Sequence, residues 1–375
     1  MADGSVTQQE ENSKVYLCSG CGGNMEFDIS SQKLKCPYCG EEAEIRDDRE
    51  VREYDFSDVA NRESSGEWDS EVSVVRCEGC GGETVVEKHQ TALYCTYCGS
   101  SHVLESKQSA GIKPEGIIPF KIDKNKAKEL FDKWIRRRWL APGKLKHLQQ
   151  SEKLISVYVP YWTYDAQTYN YYTAEGGEHY YVTVERDGKK EREQRTRWYS
   201  VSGRFSRFFD DVQVNASKNY EESLMRKIEP YDTSAVEPYK PQYISGYLAE
   251  RYSKGVVECF EAAKGKIKDE LLEDVRQRVR KKYDEVRNIH INTDYEDVKY
   301  KHVLLPIWTA QYDYNGKKYR YMINAQNGKV AGKSPLSPVK IAILIGLGII
   351  VVGAAIYFMG NNSEGFIGLS MLGGI

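Results

Sequence analysis

Eight of the nine cysteines form four Cys-x2-Cys pairs, which is the ligand spacing of a tetrahedral zinc site. The pairs are Cys18 with Cys21, Cys36 with Cys39, Cys77 with Cys80, and Cys95 with Cys98. Fourteen residues separate the two pairs within each half, and the two halves are offset by 59 residues. Four thiolates complete the coordination shell of zinc and leave no open position. Each quartet therefore predicts a structural zinc site, with two zinc ions per chain.

An alternative metal, two histidines and the ninth cysteine also bear on the predicted zinc sites. Iron in a rubredoxin-like site is the alternative metal for either quartet. His89 and His102 could replace a ligand, but four cysteines already fill each shell, so both are expected to be surface histidines. Cys259 stands in a helical apolar pattern, which predicts a small buried hydrophobic residue.

A hairpin has to bring the two cysteine pairs of each quartet together. Residues 16–46 and 74–105 both contain Cys-x2-Cys-Gly, a hairpin, a second Cys-x2-Cys-Gly and a strand, and each predicts a zinc ribbon. Because a 30-residue unit has little core, the metal is expected to supply about 10 to 16 kcal/mol of its folding free energy. Residues 1–15 are expected to be disordered, and residues 47–73 are expected to be an acidic linker.

The formal net charge of −2 conceals an uneven distribution. Residues 1–105 contain 9 Lys or Arg and 22 Asp or Glu, whereas the rest of the chain contains 44 and 33. An acidic module repels a phosphate backbone, so the ribbons are expected to bind protein. Nucleic acid is the alternative partner, which this charge disfavours.

Residues 106–335 are predicted to form an αβ domain rich in tyrosine around an antiparallel sheet. Period-two patterning covers residues 155–217 and returns after a long helix predicted at about 256–287. The sequence VPYWTYDA at 159–166 is echoed by LPIWTAQY at 305–312, which suggests two related strands that pair across the helical insertion. Tight hairpin turns are expected at Asp187-Gly188, Asn315-Gly316 and Asn327-Gly328.

Two basic segments of this domain have two interpretations each. Asp123 is expected to cap an amphipathic helix that runs to Trp139, with apolar residues at three- and four-residue steps and Lys or Arg between them. That helix could contact anionic lipid, or it could face the core with a solvated basic side. The aromatic and basic residues of 197–209 could stack single-stranded bases, or they could form one buried and one exposed strand face.

The chain also contains one apolar segment long enough to cross a bilayer. Residues 341–359 carry no charge and would span about 28 Å as a helix. We therefore predict a transmembrane helix at 339–360, with a buried core helix as the alternative. Lys329, Lys333 and Lys340 precede the uncharged residues 341–359 and no Lys or Arg follows them, which predicts that the N-terminal bulk lies in the cytoplasm and residues 361–375 outside it.

Other features agree with a single-pass cell-membrane protein whose ribbons face the cytoplasm. Unpaired thiols persist in a reducing compartment. The first 14 residues are polar and acidic and do not predict a signal peptide. The apolar residues 366–375 are too short to cross a bilayer, and their role stays open.

No motif for catalysis is recognisable. The sequence has no GxSxG, no HExxH and no GxGxxG that opens a helix, so we do not expect an enzyme. An enzyme of unrecognised type in the tyrosine-rich sheet is a weaker alternative. The predicted fold class is α+β and multi-domain, with two N-terminal zinc ribbons, an antiparallel-sheet-rich αβ domain with a long helix, and one C-terminal transmembrane helix.

Several of these motifs together resemble a family of bacterial membrane-anchored double zinc-ribbon proteins. The residues that carry the resemblance are CSGCGG, CPYCG, CEGCGG, CTYCG, VPYWTYDA, LPIWTAQYDYNGKKYRY, NAQNGKVAGKSP and the terminal span. The ribbons are similar to those of transcription factor IIB, and members are often labelled primosomal or helicase-like. The resemblance implies association with flotillin-like (SPFH) proteins and with phage-shock protein A in envelope stress.

The function expected from the whole sequence is that of a non-enzymatic adaptor. The anchor would hold the basic αβ part at the membrane, and the acidic ribbons would dock a cytoplasmic or membrane-associated protein. The alternative is a nucleic-acid-binding zinc-ribbon protein of replication or transcription.

Overall fold

Antiparallel strands make up most of the middle of the chain, and their backbone follows the period-two pattern of the sequence. The computed structural model describes residues 16–23, 25–45, 49–65, 72–77, 83–87, 103–106, 111–143, 154–186 and 188–364. A sheet-rich middle and an apolar C-terminal helix are present in these residues, so the predicted α+β class is confirmed at that level.

The described strands belong to one small and one large sheet. They are β1 (Glu26–Asp28), β2 (Lys33–Lys35), β3 (Glu42–Ala43), β4 (Tyr54–Asp55), β5 (Val72–Cys77), β6 (Glu83–Glu87), β7 (Val103–Ser106), β8 (Gly116–Ile117), β9 (Ile155–Arg186), β10 (Lys189–Asn215), β11 (Glu237–Pro238), β12 (Leu248–Glu250), β13 (Glu285–Tyr314), β14 (Lys317–Asn324) and β15 (Val330–Gly332). The helices are α1 (Val59–Ser65), α2 (Lys124–Arg137), α3 (Glu222–Ile228), α4 (Val256–Arg280) and α5 (Pro338–Glu364). Strands β1 to β3 form the small sheet, and the other twelve strands form the large one.

The two strands with related sequences pair with each other at the centre of the large sheet. Strands β9 and β13 are antiparallel, and Val159 lies opposite Leu305, the first residue of each related motif. The two motifs therefore extend in opposite directions from one point of the ladder. This register confirms the predicted pairing and places a local two-fold axis at the Val159 and Leu305 pair.

The same two-fold relation extends to a complete strand-helix-strand-strand unit. The first unit consists of β8, α2, β9 and β10, and the second consists of β12, α4, β13 and β14. Ile117 of β8 pairs in parallel with Leu304 of the second unit, and Ala249 of β12 pairs in parallel with Tyr158 of the first. The short strand of each unit thus pairs with the long strand of the other unit: β8 pairs with β13, and β12 pairs with β9.

Equivalent tryptophans hold the two units together. The Nε1 of Trp162 donates a hydrogen bond to the carbonyl of Lys254 at 3.0 Å, and the Nε1 of Trp308 donates to the carbonyl of Ile122 at 2.7 Å. Both carbonyls lie two residues before the first residue of a helix, α4 and α2 respectively. Each tryptophan therefore fixes the start of the other unit's helix.

The first unit differs from the second mainly in the length of its hairpin. Strands β9 and β10 pair over almost their full length, and the first part of β13 adds a third strand to this arm. Helix α4 covers one face of the arm and buries Ile267, Leu271 and Val275. On β10, Phe205 and Phe209 lie in these clusters while Phe208 is exposed, so the interpretation of one buried and one exposed face is confirmed.

Helix α4 is shorter than the predicted 256–287, and this is a correction. It ends at Arg280, and the amide of Asp284 donates to the carbonyl of Gly177 at 2.9 Å as the chain enters β13. Tyr283 packs directly over Gly176, where a Cβ would lie 2.5 Å from its ring. The apolar spacing continues past the helix because Tyr283 and the first strand residues contact the same cluster as the helix does.

Helix α2 follows the prediction closely at its start. The carboxylate of Asp123 accepts a hydrogen bond from the amide of Lys126 at 2.7 Å, which is the geometry of an N-cap. Its core-facing side is confirmed, because Ala127, Phe131 and Ile135 are buried. The helix ends at Arg137 rather than at Trp139, whose side chain is 57% exposed.

Shorter segments also match or extend the predictions. Asn315 and Gly316 both have positive φ, 51° and 74°, as in a type I′ turn, and this confirms the tight hairpin turn predicted there. Within the predicted acidic linker, residues 49–65 contain β4 and α1. Phe56 of that segment contacts Phe260 of α4, with ring centroids 4.6 Å apart.

Candidate metal centre

The first cysteine quartet is built from two turns of the same geometry. The amide of Gly22 donates to the carbonyl of Cys18 at 2.8 Å, and the amide of Gly40 donates to the carbonyl of Cys36 at 2.9 Å. Both glycines have positive φ, 73° and 80°, which side-chain-bearing residues rarely adopt. The Gly after each Cys-x2-Cys pair therefore closes a tight turn, and this turn places both sulfurs of the pair on the same side.

The hairpin of β1 and β2 brings these turns together. The Sγ atoms of Cys18 and Cys39 lie 3.3 Å apart, those of Cys21 and Cys36 lie 3.4 Å apart, and all four lie within 4.8 Å of one another. A zinc ion with four Zn–S bonds of about 2.3 Å requires sulfurs about 3.8 Å apart. The donor set and its spacing therefore fit one tetrathiolate zinc site, as the sequence predicts.

Backbone amides donate toward the sulfurs and oppose the neighbouring thiols and the burial, which raise the pKa of Cys18, Cys21 and Cys39. The amide of Cys21 faces the sulfur of Cys18, and the amide of Cys39 faces the sulfur of Cys36. Donation by the Cys39 amide, joined by that of Tyr38, lowers the pKa of the Cys36 thiol to about 6. Hydrogen bonds of this kind support a thiolate and orient it toward a metal.

Most of the second quartet lies outside the described residues. Cys80, Cys95 and Cys98 lie outside the described residues, as do His89 and His102, and only the backbone of Cys77 is described. Strands β5, β6 and β7 around this quartet pair with one another, and Ala249 of β12 pairs with Val85 of β6. The ladder of the second predicted ribbon is thus continuous with the large sheet.

The first ribbon is attached to the large sheet domain by apolar and polar contacts. Phe27 is 3% exposed and lies 5.5 Å from Tyr243 and 6.1 Å from Tyr247, measured between ring centroids. The amide of Phe27 donates to the carbonyl of Ser245 at 3.1 Å, and the Oγ of Ser245 donates to the carbonyl of Met25 at 2.9 Å. These contacts join segments about 220 residues apart, and nothing in the sequence pattern predicts them.

Cys259 belongs to neither quartet, and its predicted burial is confirmed. It lies in α4 with 1% of its side chain exposed. Burial raises the pKa of its thiol to about 12, so this residue stays a protonated core side chain near neutral pH.

A second polar cluster, which the sequence analysis did not identify, lies where the long arm joins the core. Glu53, Asp165 and Asp211 bring carboxylate oxygens together, and the Nζ of Lys301 lies 2.8 Å from Glu53 and 2.7 Å from Asp211. Burial, with the neighbouring carboxylates, raises the pKa of Asp165 to about 7. The lysine occupies the cation position, so the cluster is a partly buried ion-pair network with Glu53 at its exposed side. Its members lie far apart in the sequence, and no local motif signals them.

The C-terminal helix has the length and composition of a membrane span. Residues Pro338–Tyr357 of α5 have a mean hydropathy of 2.6, and none of this segment is buried against the rest of the chain. Its isoleucine, leucine and valine side chains are exposed, for example Ile349 and Ile350 at 67% each. An unburied apolar helix does not fit the alternative of a core helix.

Comparisons with known proteins add one relative. The chain is 29% identical over 337 residues to a protein of Bacillus subtilis (strain 168) called uncharacterized protein YdjG. The alignment covers 87% of this chain and 92% of the relative, whose name states no activity or partner. No family model and no solved structure matches the chain.

Proposed function

We propose that the protein is a non-enzymatic, single-pass membrane adaptor whose zinc ribbons dock another protein. One observation carries this proposal: the thiolate cluster is fixed to the sheet domain through Phe27 and Ser245, and the same domain leads directly into the apolar helix α5. A ribbon fixed in this way is held in a constant position relative to the membrane. Lys329 and Lys333 before α5, with Lys340 in its first turn, support a cytoplasmic position for the ribbons.

The exposed surface of the first ribbon favours a protein partner. Leu17 is 62% exposed and Tyr38 is 79% exposed, and each is next to a cysteine of the cluster. Tyrosine is enriched among the residues that contribute most to protein interfaces. The acidic charge of residues 1–105 opposes a nucleic acid backbone at this surface. The SPFH-like and phage-shock protein A-like partners implied by the family resemblance remain part of the proposal.

Zinc is the metal that we propose for both quartets, with two ions per chain. The first cluster supports this by its donor set, and the second repeats the spacing and the glycines of the first. The role of the metal is structural, because four thiolates leave no site for a substrate or water.

A second candidate, binding of single-stranded nucleic acid, is favoured by one surface of the arm. On the face opposite α4, Tyr169, Tyr171 and Phe208 are 47%, 44% and 57% exposed. The guanidinium of Arg204 lies 5.8 Å from the ring centroid of Tyr171. Exposed rings next to cations are the side chains on which bases stack.

Site-specific crosslinking in intact cells separates the two candidates. A photoreactive phenylalanine analogue replaces Tyr38 in one full-length chain and Tyr169 in another, which compares the ribbon with the arm. The adaptor proposal expects a discrete protein adduct from position 38, lost after Cys36→Ser. Adducts that contain nucleic acid, formed only from position 169, would support the second candidate instead. Extraction of the wild-type chain from membranes by alkaline carbonate would contradict the anchor.

A further inference from the structure

A cavity of about 620 Å³ lies between the end of α2 and residues 328–336, the segment that leads into α5. Its lining includes the apolar side chains of Leu130, Trp134 and Val330 and the cations Lys133, Arg137 and Arg138. One wall is therefore apolar and another is strongly basic. The sequence indicates the basic helix, but only the fold places a concave surface beside its last turn.

The cavity is fixed directly beside the segment that can enter a bilayer. The Nζ of Lys340 donates to the carbonyls of Trp139 at 2.7 Å and Ala141 at 2.8 Å, and the amide of Ser337 donates to the carbonyl of Leu140 at 2.8 Å. These bonds connect the chain after α2 to the first turn of α5. The cavity wall is thus joined directly to the start of α5.

The cations at the cavity lack acidic partners in the described part of the chain. No carboxylate oxygen of the described residues lies within 4 Å of Lys133, Arg137 or Arg138. The C-terminal end of α2 carries about half a negative charge from the helix dipole, and this charge repels an anion. Three cations line the cavity, and Lys340 lies close by, bonded to the carbonyls of Trp139 and Ala141 just beyond the helix, so the net field favours an anion.

The residues around the opening have the composition of a membrane interface. Trp139 is 57% exposed, Leu336 is 57% exposed and Val339 is 67% exposed. Tryptophan together with Lys or Arg is typical of the headgroup level of a bilayer. Exposure of this apolar surface to water is unfavourable, and lipid would cover it.

We propose that this cavity binds the phosphate-bearing headgroup of an anionic phospholipid, with the acyl chains lying along α5. Lys133, Arg137 and Arg138 neutralise the headgroup, and Leu130, Trp134 and Val330 contact its glycerol and upper acyl carbons. A free phosphate ion would use the cations but leave the apolar wall uncovered. The assignment rests on the proposed membrane anchoring, since the lipid has to lie beside α5.

The test measures lipid retention by the full-length chain in a nonionic detergent, by native mass spectrometry. Phosphatidylglycerol and phosphatidylcholine are titrated separately, and inorganic phosphate is added as a competitor. The test variant is Lys133→Gln with Arg137→Gln. The charge-matched control is Lys189→Gln with Lys190→Gln at the far end of the β9 and β10 hairpin, and the charge-conserving variant is Lys133→Arg with Arg137→Lys.

We expect the wild type to retain phosphatidylglycerol at least tenfold more tightly than phosphatidylcholine. Each cation removed is expected to weaken binding about fivefold, which corresponds to about 1 kcal/mol, so the test variant loses about 25-fold. The control and the charge-conserving variant should stay within threefold of the wild type. Equal retention of both lipids, or an equal loss in the control, would overturn the proposal.

Two further outcomes are decisive. Full displacement of phosphatidylglycerol by millimolar phosphate would assign the cavity to a free anion and overturn the lipid assignment. Alkaline extraction of the same variants distinguishes this proposal from the anchor: a chain that stays in the membrane but shows no lipid preference refutes only the headgroup site. A wild-type chain that is extracted refutes the anchoring as well.

Discussion

Substitution of Phe27 by alanine should release the first ribbon from the sheet domain without releasing its metal. Phe27 is 3% exposed between the rings of Tyr243 and Tyr247, so its truncation is expected to cost about 3 to 5 kcal/mol. The hydrogen bonds to Ser245 involve backbone atoms of the ribbon and remain possible in the variant, at about 1 kcal/mol each. Docking therefore weakens strongly but is not abolished.

Hydrogen exchange of the Phe27 amide reports this release directly. That amide donates to the carbonyl of Ser245, across the contact between ribbon and domain. A loss of 3 to 5 kcal/mol raises the population of the released state about 10²- to 10³-fold or more, and exchange should accelerate by the same factor. Mass spectrometry of peptides that cover 25–29 measures it. The matched control is Tyr38→Ala, which truncates an aromatic residue that is 79% exposed on the same ribbon.

Two results would refute this reasoning. Unchanged exchange in Phe27→Ala would mean that the ring does not hold the ribbon on the domain. A loss of bound zinc in the same variant would mean that the metal site depends on docking, whereas the four sulfurs are positioned by the ribbon's own turns.

Three other predictions concern the metal, the pH dependence and the repeated core. Cys36→Ser should lower the zinc content by one equivalent in a colorimetric release assay, whereas Cys259→Ser should leave it unchanged; equal zinc in both would exclude the first quartet as a metal site. The pKa of Asp165 is raised to about 7 in the folded protein. Between about pH 4 and 7 its carboxyl group is therefore protonated in the folded chain and ionised in the unfolded chain. The free energy of unfolding consequently falls as the pH rises through that range. Asp165→Asn should remove that decline and gain about 1 to 2 kcal/mol at pH 8 after allowance for solvent screening; urea unfolding at pH 5 and pH 8 measures it, and an equal difference at both would contradict the assignment. Trp162→Phe and Trp308→Phe should each lower the free energy of unfolding in urea by about 1 to 3 kcal/mol. Each substitution removes the indole N–H that donates to the carbonyl before a helix. A loss at one position alone would contradict the two-fold equivalence.

Local residue chemistry determines several features of this protein from the sequence alone. The clustering of the first four cysteines follows from Cys-x2-Cys-Gly because the turn, the two sulfurs and the glycine are adjacent in the chain. The N-cap at Asp123 and the turn at Asn315-Gly316 are also local, since each depends on at most four consecutive residues. The apolar character of α5 depends only on its composition.

Contacts between distant segments required the tertiary structure. The true end of α4 at Arg280 was missed because Tyr283 continues the helical apolar spacing while it packs on Gly176 of another strand. The sequence showed the echo between 159–166 and 305–312, but the two short strands and two helices that complete the repeat share little sequence.

The docking of Phe27, the ion pairs of Lys301 and the cavity beside α5 have the same origin. Each brings together segments that lie 90 or more residues apart in the sequence. Hydrophobic pattern and turn chemistry specify which elements form and which of their faces are apolar. The pairing of those faces is decided by packing among all the elements at once, and so only the folded chain shows it.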